Sequence, residues 1–262
     1  MEILIGLGFT MKHSRIYYDY TFGEKERKAL DHVGHYVLPG ILTAEAQERL
    51  TESLAYIQSL IPNGKKGHEP NRFSAEFDSY LESIIAHPQM LELARKVLGE
   101  DIRYDHCVSL NRSGGNGGIG WHSHGYSDDD LRYGFVRIFF YVNGFDVDDG
   151  GLKAVPGSHL YRDGRIHGGT DEALRKGWLV GKTHPETGEP LQIQQLSVPS
   201  GTVILMWTHA AHAVTPRKPE SDTRWCVVYA YRNPGKPSGA RWISPEFEHK
   251  QIPGAEELMS LY

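Results

Sequence analysis

The periodicity of apolar residues changes at Gly99, and that change most narrows the folds open to this 262-residue chain. Before it the pattern is helical. An extended piece, HYVLPGIL at 35–42, leads into Thr43, a residue suited to cap a helix start. AEAQERLTESLAYIQSLI follows, with Glu45 and Glu48 in its first turns. SAEFDSYLESIIAH at 74–87 sets Phe77, Tyr80, Leu81 and Ile84 on one helical face. PQMLELARKVLG at 88–99 opens with Pro88 in its first turn and stops at Gly99. After Gly99 come short β-like runs separated by glycine, aspartate and proline, at 102–112, 134–144, 151–159, 191–198, 202–208 and 223–232. No helical stretch alternates with these runs, so βαβ units are excluded and an antiparallel barrel or sandwich is expected. The expectation is one mainly β domain over 1–262, with helical support over about 1–100 and a β core over about 101–235.

Composition agrees with many short elements. Glycine and proline number 29 and 14, too many for a bundle of long helices. A net charge of −5 lacks the basic footprint of a nucleic-acid binder, so no nucleic-acid partner is expected. Cys107 and Cys226 stand far apart with no CxxC spacing, the usage of reduced, buried thiols. The apolar N-terminal stretch is about nine residues long with no cationic segment before it, and no run approaches a membrane span. A cytoplasmic protein with no membrane partner is expected.

The 14 histidines need explaining. His122 and His124, in Gly120-Trp121-His122-Ser123-His124, share one face of an extended strand by their i, i+2 spacing. Neutral imidazoles so placed can ligate one transition metal. A third ligand from a distant strand would complete the set, and both His209 and His212 lie directly after the apolar run TVILMWT. Arg224, twelve residues beyond His212 at the start of TRWCVVYAYR, could clamp a carboxylate with its planar fork.

From about residue 35 to 232 the chain resembles the phytanoyl-CoA dioxygenase family of Fe(II)/2-oxoglutarate-dependent oxygenases. The resemblance rests on HPQMLELARKVLGEDI, WHSHGY, YVNGFDVDDGGLKAVPGSH, VPSGTVILMWTHAAHAVTP and TRWCVVYAYR, in that order. It implies a double-stranded β-helix (jelly-roll, cupin-like) core flanked by N-terminal helices, with Fe(II) as metal and 2-oxoglutarate as co-substrate. O2 and a small-molecule substrate would be the other reactants. By position, His122 resembles the first iron-binding histidine, His212 the distal one, and Arg224 the residue that binds the far carboxylate of 2-oxoglutarate. The chain departs from the family at His124, where the family carries a carboxylate in a WHxD sequence. Ligation by His124 would give three neutral ligands; if it stands aside, a coordination position opens. Asp128, Asp129 and Asp130 are read as a solvated acidic loop.

Further residues are read around this centre. Asn111 and Ser109 share a face with Cys107 near where the family places a polar co-substrate contact. Thr215 could add a hydroxyl to the co-substrate or serve the turn before Pro216. Arg137 shares a face with Phe139 and Tyr141 and either contacts a substrate carboxylate or phosphate or faces outward. Tyr126 and Trp121 flank the metal motif as candidate pocket walls. His159 of PGSH is expected to be scaffold, and His167 and His184 solvated. The 160–190 stretch is read as a long polar loop. No basic cluster suits the phosphates of coenzyme A, which favours a free small metabolite as substrate. Two other readings stay open: a three-histidine iron dioxygenase that does not use 2-oxoglutarate, and a non-catalytic metal-binding β-barrel. Oligomeric state is not legible.

Overall fold

The computed structural model describes residues 14–61, 67–125, 134–164, 166–236, 241–250, 252–254 and 256–260. Helices α1 (Glu24–Val33), α2 (Ala44–Leu60), α3 (Ser74–Phe77), α4 (Ser79–Ile85) and α5 (Pro88–Leu98) precede most of the β-structure. Strand β1 (His35–Leu38) lies between the first two. The core follows as β2 (Arg103–Ser109), β3 (Ile119–His122), β4 (Phe135–Tyr141), β5 (Leu152–Ala154) and β6 (His167–Gly168). After α6 (Asp171–Lys176) come β7 (Gln194–Gln195), β8 (Thr202–Trp207), β9 (His212–Val214) and β10 (Cys226–Arg232), then the short helices α7 (Pro245–Glu248) and α8 (Glu256–Met259).

The strands form two five-stranded antiparallel sheets, ordered β1-β8-β4-β10-β2 and β6-β3-β9-β5-β7. Together they make the expected jelly-roll, a double-stranded β-helix with helices on one side. Every residue of β4 is buried, and alternation decides which layer each one joins. Ile138 and Phe140 face the helices with Leu50, Leu54, Ile84 and Leu93. Phe139 and Tyr141 face the second sheet with Ile204, Met206 and Val228. Burying each such side chain contributes about 1.5–3 kcal/mol, so the first sheet holds both layers together.

Local chemistry explains where elements begin and end. Thr43 caps α2 by accepting from the Ala46 amide at 3.1 Å, as its position predicted. Pro88 opens α5 and Gly99 follows its end with φ of 87°. The single helix expected over 74–87 is broken at Asp78, which is extended and accepts from the Leu81 amide at 2.9 Å, starting α4 afresh. Helix α1 has no counterpart among the expected helices. Several expected strands shorten: 151–159 keeps only β5 and then turns into a 3₁₀ turn at Ser158–Tyr161, and 191–198 keeps only β7. The 160–190 stretch is not one open loop, since it contains β6 and α6. No helix among the described residues is long and apolar enough to cross a membrane.

Candidate metal centre

Sheet register brings the distant histidines together. In the β3–β9 ladder His122 stands directly opposite His212, a placement that brings cross-strand side chains to about 5 Å. His124 lies just past the end of β3, tied by its amide to the Thr208 carbonyl at 3.2 Å. Ring centroids are 4.2 Å apart for His122 and His212, 4.9 Å for His122 and His124, and 5.3 Å for His124 and His212. One ligand nitrogen from each can be chosen so that all three lie within 4.8 Å of one another. His209, the other candidate from the sequence, faces a different cavity beside Asp31 and His159.

Hydrogen bonds select the ring nitrogen that remains available. His122 Nδ1 lies 3.0 Å from the Gly120 carbonyl and His212 Nδ1 lies 2.8 Å from the Ala210 carbonyl. Only an N–H can serve there, so each Nδ1 carries the proton and each Nε2 keeps its lone pair for a metal. Burial, reinforced by the nearby charge of Arg137, holds all three imidazoles below the ordinary histidine range. They are neutral at pH 7, the state a metal requires of imidazole.

The histidines open onto a cavity of about 220 Å³ between the two sheets. Arg224, 1% exposed, lines the same cavity; its guanidinium lies over the Tyr141 ring at 5.3 Å and donates to the Gly150 carbonyl. Arg137 lines it too, on the inward face with Phe139 and Tyr141.

Other expected positions fall elsewhere. Asn111 donates to the Leu54 carbonyl at 3.0 Å and lines a separate cavity with Ser109 and Gln58, so it stays out of the histidine cavity. The alternation expected along this strand holds, but the opposite face lines the cavity, with Val108, Leu110 and Arg112 pointing inward. Thr215 accepts from the Gly151 amide at 2.7 Å and donates to the Val147 carbonyl at 3.1 Å, a pin between loops that leaves Val214 to face the cavity. Trp121 turns away from the cavity and packs with Val155, Ile166 and Leu174. Tyr126 and Asp128 to Asp130 lie outside the described residues. His159 donates to the Asp31 carbonyl, the scaffold role expected of it. His184, expected in solvent, is 7% exposed. The reading missed Arg112, Arg72 and Trp242 as cavity-lining residues. Arg112 was findable, because it continues the face begun by Val108 and Leu110.

A double-stranded β-helix with a cluster of strand-borne histidines at its centre is the scaffold of a non-haem metal enzyme. The chain belongs to the phytanoyl-CoA dioxygenase (PhyH) family, whose profile matches residues 31–222, and so to the Fe(II)/2-oxoglutarate-dependent oxygenases. Among curated proteins none matches it in sequence. Its fold is similar to that of HygX from Streptomyces hygroscopicus, solved with nickel and 2-oxoglutarate bound, at TM-score 0.61 and 17% identity, covering 84% of this chain and 90% of HygX. It is also similar to SnoK, a non-haem α-ketoglutarate-dependent carbocyclase from nogalamycin biosynthesis (TM-score 0.60, 14% identity, 81% and 84% covered). SnoN, an epimerase of the same biosynthesis, aligns at TM-score 0.57 and 14% identity, covering 80% and 82%.

Proposed function

We propose that this chain oxidises a small-molecule metabolite by hydroxylation, using Fe(II) held by His122, His124 and His212 and 2-oxoglutarate held at its far carboxylate by Arg224. The observation that carries this reading is one cavity lined both by three neutral imidazoles and by a buried guanidinium. The donor set fits the metal: two Nε2 lone pairs are left available by the hydrogen bonds at Nδ1, and His124 supplies a third imidazole. Bound iron would couple O2 reduction to decarboxylation of 2-oxoglutarate, so that R–H, O2 and 2-oxoglutarate become R–OH, succinate and CO2.

The protein's own contribution is positional. Strand pairing fixes His122 against His212, while Phe139, Tyr141 and Val228 give the cavity aromatic and apolar walls. Three neutral ligands leave the metal with one more unit of positive charge than a set containing a carboxylate. That same feature supports a second reading, a three-histidine dioxygenase in which the substrate itself chelates the metal. Arg224 favours the first, since such an enzyme needs no co-substrate clamp. Purified protein loaded with Fe(II) should bind 2-oxoglutarate in the absence of O2 and form one succinate per O2 consumed. O2 uptake without succinate selects the second reading. Failure to take up iron rejects both.

A further inference from the structure

The charged residues that line the cavity holding the histidines are all cationic. Arg72, Arg112, Arg137 and Arg224 line it, and no carboxylate among the described residues does. Three of these arginines have partners. Arg112 donates to Asn116 Oδ1 at 2.7 Å, Arg224 to the Gly150 carbonyl, and Arg72 lies over Trp242. Arg112 and Arg224 also pair through their backbones, which sets their charges side by side at one end of the cavity.

Arg137 differs from all of them. It projects inward from the middle of β4, between β8 and β10, and is 6% exposed. Its Nε is buried with no hydrogen-bond partner, as are those of Arg112 and Arg224, but unlike theirs its guanidinium donates to no described residue, and among the described residues no carboxylate pairs with it. Its one ring contact among the described residues, with Phe135, is long at 6.0 Å. Asp105 is the acidic group whose charge it feels, but that carboxylate sits closer to His106 and Arg232 and leaves its Oδ2 without a hydrogen bond. One oxygen is 2.7 Å from His106 Nδ1 and the other lies 3.8 Å from Arg232 Nη1. An arginine cannot shed its proton inside a protein, and a buried, unpaired charge is costly. Such a group is retained in a cavity wall when a ligand supplies the missing anion.

On the reading given above, 2-oxoglutarate brings two negative charges, one to the metal and one to Arg224 with Arg112. Arg137 is then still unpaired, beside His124. Val108, Leu110, Phe139 and Val228 share the cavity wall with it; among the described residues no lysine lines the cavity, and the hydroxyl there, that of Tyr141, belongs to the ring under Arg224. A single planar fork set among apolar side chains matches one planar carboxylate. We infer that Arg137 anchors the carboxylate of the primary substrate, so that the substrate is a small carboxylic acid with an apolar body, held beside the metal and apart from the co-substrate clamp.

This inference rests on the proposed function, and calorimetry under anaerobic conditions separates the two. Full-length protein loaded with Fe(II) is titrated first with 2-oxoglutarate and then, once saturated, with benzoate, hexanoate and L-leucine, each compared with its amide. At least one acid should bind about tenfold or more tightly than its amide. Arg137→Met should abolish that preference while changing 2-oxoglutarate affinity by less than about threefold, and Arg224→Met should do the reverse. Arg137→Lys, which keeps the charge but loses the fork, should bind the acid with intermediate affinity and provides the readout if the methionine variant does not fold. The inference is overturned if no acid binds better than its amide, if the preference survives Arg137→Met, or if Arg137→Met weakens 2-oxoglutarate as much as Arg224→Met does. Failure of the unsubstituted protein to bind 2-oxoglutarate overturns the proposed function itself.

Discussion

Among the described residues two clusters gather metal-ligating atoms within 4.8 Å of one another: His122, His124 and His212 between the sheets, and His32, His184 and Glu186 outside them. By donor type the second is closer to the usual two-histidine, one-carboxylate set. Its hydrogen bonds say otherwise. His184 Nε2 donates to the His32 carbonyl at 2.8 Å and its Nδ1 accepts from the Glu186 amide at 3.2 Å, so both ring nitrogens are occupied. His32 Nδ1 and Glu186 Oε2 are paired with each other at 2.6 Å, both well exposed. With His159 on the Asp31 carbonyl, these side chains satisfy the C-terminal end of α1 and dock the 177–190 segment onto it. Proximity of donors is thus a weak criterion. What distinguishes the inner cluster is that backbone carbonyls take Nδ1 of His122 and His212 and leave their Nε2 lone pairs available to a metal.

The largest expected effect contrasts the two clusters directly. His122→Ala and His212→Ala should each lower Fe(II) affinity by at least about a hundredfold, whereas His32→Ala should leave metal content at one ion per chain, as read by elemental analysis of dialysed protein. Equal losses from both clusters would erase the distinction. Next comes the outer cluster's structural role. Gly157 has φ of 80°, and a Cβ there would stand 2.3 Å from His184 Cδ2. Gly157→Ala should therefore destabilise the fold by about 2–4 kcal/mol in urea unfolding, with iron stoichiometry unchanged.

Acid should act on both regions for different reasons. Burial depresses the folded-state pKa of His35 and His159 to about 4. A histidine with a depressed folded pKa binds its proton more readily when unfolded. Stability is therefore complete above about pH 6.5 and declines as pH falls toward 4, each residue removing roughly 2 kcal/mol by pH 5. His159→Gln, measured by denaturation at pH 7 and pH 5, should show a smaller acid loss than the unsubstituted protein. Metal affinity should fall over acid pH as well, because protonation competes with ligation at the inner cluster. The smallest effect is expected at Asn111. It lies outside the cavity, so Asn111→Ala should change 2-oxoglutarate affinity by less than about threefold; a large loss would redraw the cavity's boundary.

The amino-acid sequence by itself determined the layout and named the residue types that the fold gathers between the sheets. The switch from helical to alternating periodicity after Gly99 separated supporting helices from β core, since burying one face imposes those periods on the chain. The i, i+2 pair His122 and His124, the distal histidine and Arg224 were legible because their residue types have few other uses in that order. Spacing could not decide between His209 and His212, because both follow the same apolar run. The β3–β9 register decided it, by setting His212 opposite His122. Nor could alternation say which face of 107–112 is the inside: Asn111 and Arg112 are neighbours with opposite fates, one tied to Leu54 on α2 and the other in the cavity wall. Face, register and the unpaired state of Arg137 depend on residues scores of positions away, so only the packed structure fixes them.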